Sequence, residues 1–133
     1  MRKVDLDFKN IPRPHYLISA EISEDNQTLN GKVLFPLTDV SVTDRMDHSH
    51  IAHFIFAAAN AAHVIAIESG CKEHLATEIK IKPLKKAKPG NEIELIVKVE
   101  YSDSRKKIGK WTAEFSNEDG LILKFEAKFF ASW

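Results

Sequence analysis

Residues 51–67 are apolar but for His53, Asn60 and His63. The run is about long enough to span a bilayer, yet its polar residues and many small alanines fit a buried helix better. Ala57, Ala58, Ala59, Ala61, Ala62 and Ala66 are strong helix formers. Gly70 stands where a left-handed helix cap is easiest for glycine, and Ser49 or Asp47 can cap the other end. The pattern predicts one helix of about 20 residues, roughly 30 Å long. On a helical wheel Ile51, Phe54, Ile55, Ala58, Ala62 and Ile65 share one side, which is expected to face the core.

After Gly70 the period changes from 3.6 to 2. Thr77, Ile79 and Ile81 alternate with Glu78, Lys80 and Lys82, and Ile93, Leu95, Val97, Val99 and Tyr101 alternate with Glu94, Lys98 and Glu100. Both segments predict half-buried strands. Residues 110–116 put Trp111, Ala113 and Phe115 on one face, and residues 121–130 do the same with Leu121, Leu123, Phe125, Ala127 and Phe129. Asn117-Glu118-Asp119-Gly120 makes a hairpin turn between them. Ahead of the helix, residues 16–23 and 32–37 predict another hairpin, whose turn runs from Glu24-Asp25-Asn26-Gln27 to Asn30-Gly31. Pro12 and Pro14 mark residues 1–15 as an extended lead-in. The expected architecture is α+β, with a curved antiparallel sheet of about six strands wrapped around one long central helix.

Composition narrows the function. The 133 residues predict a single domain over 1–133, without repeat or linker. Apolar residues at 44% and charged residues at 29% exclude a disordered or coiled-coil chain. Nineteen basic residues balance nineteen acidic ones, so no global field gathers nucleic acid or anionic membrane, and neither is expected as a partner. Cys71 is alone, which rules out an intrachain disulfide, and Met1-Arg2-Lys3 runs into acidic residues rather than an apolar signal region. Both features predict a cytoplasmic protein.

The helix containing His50-Ile51-Ala52-His53, the segment Pro83-Leu84-Lys85-Lys86-Ala87-Lys88-Pro89-Gly90, the strand before Tyr101 and the hairpin through Asn117-Glu118-Asp119-Gly120 together give a resemblance. The order resembles the hotdog fold of acyl-CoA thioesterases and hydroxyacyl-thioester dehydratases, over about residues 16–130. The resemblance implies a homodimer or dimer of dimers, with acyl-thioester sites at the subunit interface near the start of the helix. A helix N-terminus presents unpaired N–H groups suited to polarising a thioester carbonyl. It further implies an acyl-CoA or acyl-carrier thioester as ligand, and no other cofactor.

Family chemistry carries over only in part. Hotdog thioesterases often place an Asp or Glu about ten residues after the helix-entry His or Asn; the nearest counterpart here is Asn60, which can orient a thioester or water but cannot act as a base. The dehydratase motif His-Phe-Pro-Gly-His-Pro is absent, as is the hydratase Asp-x-x-x-x-His pattern, so dehydration is disfavoured. His50, His53, Asn60 and, at the margin, His63 fall within an arc of about 140°, read as a polar stripe opposite the core-facing side. Asp47, His48, His50, His53 and Asn60 are therefore the catalytic candidates, with Asp47 or a histidine as base. Against this stands a plain alternative, in which His48, Ser49 and Asp47 cap the helix while His53 and Asn60 pack in the dimer interface. A metal is not expected, because the histidines straddle a cap and no His-Glu-x-x-His pattern is present.

Ser49, Phe54, Lys82, Lys85 and Lys86 are the candidate substrate contacts. The lysines belong to a basic cluster, Lys80 to Lys88, that either is a solvated edge or meets the phosphates of CoA. Cys71 has no activating base nearby in sequence and is read as a structural thiol. Two functions follow: an acyl-CoA hydrolase, or a non-catalytic acyl-CoA or lipid-binding hotdog protein.

Overall fold

A computed structural model describes residues 1–6, 16–35, 51–85, 87–88 and 90–133. Among these residues seven strands form one antiparallel sheet: β1 (Arg2–Lys3), β2 (Leu17–Ile22), β3 (Thr28–Val33), β4 (Glu73–Pro83), β5 (Ile93–Tyr101), β6 (Ile108–Asn117) and β7 (Gly120–Ser132). Helix α1 (Ile51–Glu68) lies between β3 and β4 in the chain. The spatial order is β1-β2-β3-β5-β6-β7-β4, so the strand that leaves the helix ends at a sheet edge.

Alternation makes the sheet two-faced. Ile93, Leu95, Val97 and Val99 of β5, Trp111, Ala113 and Phe115 of β6, and Phe125, Ala127 and Phe129 of β7 are buried on one face of the sheet, while Lys and Glu between them face out. On the outer face Lys128 pairs with Glu78 at 3.3 Å, Lys124 with Glu114 at 3.7 Å and Lys110 with Glu126 at 3.8 Å. These exposed pairs contribute little stability and keep that face wet.

The helix is half buried by the chain's own sheet, which marks it as a core helix although its length and apolarity would suffice for a bilayer. Its end matches the expected cap. Gly70 has φ +79°, its N–H donates to the Ile67 carbonyl at 3.0 Å, and the Cys71 N–H donates to the Ala66 carbonyl at 2.9 Å. That pair of bonds is the Schellman arrangement, which satisfies carbonyls the helix leaves open. The β6–β7 hairpin also forms where expected, with Asn117 opposite Gly120 and the Asp119 N–H donating to Asn117 Oδ1 at 2.9 Å.

Several expectations change. The first hairpin closes at residues 23–28, where Ser23 and Thr28 share a backbone bond of 2.9 Å and Asn26 takes φ +58°. The Asn30-Gly31 pair is thus inside β3, and the second strand begins at Thr28 rather than at Lys32. Gly31 is there for close approach, since a Cβ would meet Leu17 Cδ2 and the Ser19 carbonyl, each at 3.2 Å. Register shifts lie beside Thr77 in β4 and beside Ser116 in β6, opposite the start of β7. The second shift buries Ile122 and Leu123 together and leaves Leu121 half-buried, against the simple alternation expected. Finally, apart from the partly buried His74, β4 is exposed on both faces instead of half-buried.

Candidate functional site

Among the described residues the buried polar side chains are His53 and Asn60, at 9% and 5% exposure. Both were expected on a stripe facing away from the core. The structure turns that side inward: the buried arc of α1 includes His53, Phe54, Ala57, Asn60, Ala61 and Val64, and the open strip carries Phe56 and Ala59 with Ala52 and His63 half-covered. Ile51, expected in the core, is exposed at the start of the helix. The reason is long-range. Residues from the two ends of the first hairpin, Tyr16 and Phe35, pack over the His53 side of the helix.

Tyr16 lies 2.8 Å through its hydroxyl oxygen from His53 Nδ1, and its ring stands edge-on to His53 at 5.5 Å between centroids. The same ring meets Phe35 edge-on at 5.0 Å; Phe35 in turn meets Phe54 at 4.8 Å, and Phe54 meets Phe115 at 4.9 Å. These edge-to-face contacts form a continuous aromatic chain that locks the imidazole in place. Tyr16 itself holds φ +59°, a left-handed conformation that is strained for a bulky residue, while its carbonyl accepts from the Leu34 N–H at 3.1 Å. Sequence reasoning missed Tyr16, because nothing local links it to a helix residue 37 positions later.

Phe54, expected to contact substrate, is a core residue at 3% exposure; Phe56, two positions on, is the exposed aromatic. Asn60 lies two helical turns after His53 on the same side, about 10 Å along the axis at 1.5 Å per residue. The two therefore serve different parts of any bound ligand rather than one atom. Asp47, His48, Ser49 and His50 lie outside the described residues, as does Lys86.

The lysines divide. Lys82 pairs across the sheet with Lys124 on the outer face, away from the helix. Lys85 donates through Nζ to the Asp119 carbonyl in the β6–β7 turn, close to Phe115 and so at the same end of the molecule as Phe54. Two surface depressions of about 510 and 480 Å³ lie elsewhere, on the outer face around Lys32 and Glu94, and touch neither His53 nor Asn60. Burial pushes the Cys71 thiol up, and Sγ–H has the Glu73 and Ser132 carbonyls at 2.9 and 3.3 Å, which suits an inert thiol. Among the described residues no group of three or more His, Cys, Asp or Glu side chains is placed to hold a metal ion.

No protein-family model and no curated protein matches the sequence. Solved structures do match in fold. A hypothetical thioesterase from Streptococcus pneumoniae TIGR4, crystallised with coenzyme A, superposes with a TM-score of 0.71 at 11% identity, covering 84% of this chain and 82% of that one. The E. coli PaaI protein of the phenylacetic acid degradation operon gives 0.69 at 15% identity, over 82% of this chain and 79% of that one. A phenylacetic acid degradation-related putative thioesterase from Ralstonia eutropha JMP134 gives 0.68 at 8% identity, over 83% and 80%. The chain therefore has the hotdog fold, in the form seen in thioesterase-superfamily structures.

Proposed function

We propose that the protein is a cytoplasmic acyl-thioester hydrolase acting on acyl-CoA, working as a homodimer or dimer of dimers with its site beside the start of α1. The observation that carries this reading is the buried polar pair His53 and Asn60 on an otherwise apolar central helix. Buried polar groups are kept where hydrogen bonds compensate them, as Tyr16 does for His53, and side chains held in this way are suited to orienting a ligand. The reading gains support from the fold, and from the coenzyme A held by one structural neighbour. In it Asn60 orients the thioester or the attacking water, Asp47 or a histidine takes the proton, and Lys85 meets the CoA phosphates at the same end of the sheet. No cofactor beyond the substrate takes part.

The amide at Asn60 favours a second reading, an acyl-CoA-binding protein without turnover, because an amide supplies no base. One experiment separates them. Acyl-CoA hydrolysis across chain lengths and direct binding are measured on the wild type, Asn60→Ala and Asn60→Asp, each with its melting temperature. A hydrolase loses rate on Asn60→Ala and gains on Asn60→Asp, where a base near the thioester is worth ~10²–10⁴-fold. Binding without turnover in the wild type selects the second reading. Neither binding nor turnover removes both.

A further inference from the structure

We propose that the end of the molecule formed by the β5–β6 turn and the last residues of β7 is a docking surface for an anionic lipid bilayer. The inference goes beyond the hydrolase reading and stands without it. Leu75 of β4 lies opposite Phe130 of β7, and Phe130 lies opposite Ile108 of β6. Phe130 stands between buried Phe129 and Ala131, so this row is on the outer face of the sheet, away from the core. The three side chains are 66%, 53% and 48% exposed. In the neighbouring row of the same face Lys128 lies opposite Glu78 and Lys110 and pairs with Glu78 at 3.3 Å. An apolar row across three strands, on a face that is otherwise charged beside it, is not a by-product of the core and marks a contact surface.

The chain is neutral overall, but this end is basic. Arg105, Lys106 and Lys107 of the turn and Lys72 beside the end of β7 are exposed, against the side chains of Glu73 and Asp103. The Asp103 carboxylate is turned onto its own loop, where it accepts the Lys107 and Ile108 N–H groups at 3.0 and 3.1 Å. The turn is tied to β7 as well: the Ala131 N–H donates to the Lys107 carbonyl at 2.8 Å, and Trp133 Nε1 donates to the Lys106 carbonyl at 2.7 Å. On the other side the Lys72 N–H donates to the Ser132 carbonyl at 2.7 Å. Backbone bonds therefore hold the basic residues beside the apolar row.

A bilayer with anionic headgroups complements both features at once. Its acyl boundary takes up Leu75, Phe130 and Ile108, while the long basic side chains reach back to phosphates and carboxylates in the polar layer. Trp133, exposed with its N–H already satisfied inside the chain, offers the same boundary an apolar ring. A protein interface centres on anchors that fill pockets. Here the row is at the end of the sheet, and the two surface depressions lie away from it around Lys32 and Glu94. A stable contact with a second copy needs about 800 Å² per partner, and three part-exposed side chains fall well short of that. A bilayer demands no matching shape, only apolar surface ringed by positive charge.

Co-sedimentation of the full chain with vesicles tests this, using phosphatidylcholine alone and phosphatidylcholine mixed with phosphatidylserine. The mixed vesicles are expected to bind at least ~10-fold more tightly, and less so as salt shortens the reach of charge below the ~10 Å of a 0.1 M solution. Arg105→Glu and Lys107→Glu should each lose at least ~5-fold on the mixed vesicles, whereas Lys98→Glu, in the middle of β5, keeps the wild-type affinity. Phe130→Ser should lose ~10-fold. Circular dichroism checks that each variant is folded, and Leu75→Ser, at the most exposed member of the row, reads the same loss should Phe130→Ser not fold. On binding, the tryptophan emission should shift to the blue, and Trp133→Phe should abolish the shift, because Trp111 is already buried in the core. Equal binding to both kinds of vesicle, no binding to either, or an equal loss in Lys98→Glu overturns the proposal. Release by inorganic phosphate at constant ionic strength would reduce the site to an ion site and overturns it too. So does a fall in oligomeric mass in Phe130→Ser, which would give the row to a second copy of the chain.

Discussion

Strands β4 and β5 carry nearly the same alternation and meet opposite fates. In β5, Ile93, Leu95, Val97 and Val99 are buried to within 4% exposure, whereas in β4 Ile79 and Ile81 remain 42% and 37% exposed. Register shows that this is not a matter of facing. Ile79 pairs with Ala127 and Ile81 with Phe125, whose side chains point into the core, so the β4 isoleucines point to the same side as the helix. The helix simply does not reach them: its main strand contacts are with β2, β3 and β5. Alternation specifies which face of a strand is apolar; what covers that face is decided by the fold, or by a second molecule.

The uncovered face continues onto α1. Exposed Phe56 and Ala59 and half-buried His63 form its open strip, and His63 is near enough to His74 of β4 to act on its charge. An eleven-residue edge strand with exposed isoleucines beside an open apolar helix strip leaves apolar surface and unpaired backbone groups uncovered in a single chain. A second copy of this chain, docked by two-fold symmetry, would cover both at once.

The largest effect that tests the contrast is on stability. Leu95→Ala in β5 is expected to cost ~2–5 kcal/mol in urea unfolding, the range for emptying a buried leucine site. Ile79→Ala, measured at protein concentrations low enough to keep the chain monomeric, should cost less than ~1 kcal/mol. Equal costs would mean that β4 is covered within one chain, and the contrast would collapse.

Association gives the next effect. Burying an isoleucine contributes ~1.5–3 kcal/mol, so a copy docked on this face should lose at least ~10-fold in dimer affinity for each of Ile79→Lys and Ile81→Lys. The fold of the monomer should be retained, because neither side chain is in the core. Sedimentation at a series of concentrations reads the first point, and far-ultraviolet circular dichroism the second. An unchanged dimer would place the interface elsewhere on the molecule.

How far the sequence carried the fold depends on how local each signal was. The helix stop at Gly70, the Asn117–Gly120 turn and the faces of β5 and β6 rest on neighbouring residues, and they were legible. Asn30-Gly31 reads as a turn, yet the turn went to Ser23 and Asn26 because Gly31 was needed where β2 crowds β3. At the site, His53 and Asn60 stood out as polar residues in an apolar helix, but the side they face was misread. A wheel ranks helix sides by their own residues, and the cover here comes from Tyr16 and Phe35, far away in the chain. For the same reason Tyr16 carried no signal at all.

The smallest expected effect is a pH dependence on the open face. Burial, and then the charge of His63, hold the His74 imidazole below its ordinary value. Facing it are His63 from α1 and the Phe129 ring of β7, 4.5 Å away between centroids. In the unfolded chain His74 titrates near 6.5. Between that value and the lower folded one, the unfolded state binds a proton that the folded state does not, so stability is fully present above about pH 6.5 and is lost as pH falls through the folded value. His74→Phe should flatten that decline in urea-unfolding series between pH 7 and pH 5. A copy of the chain packed on this face would remove more water from His74, so the wild-type decline should steepen as protein concentration rises, and Ile79→Lys should cancel the steepening. A decline that survives His74→Phe would belong to another group, and one independent of concentration would leave His74 outside the interface.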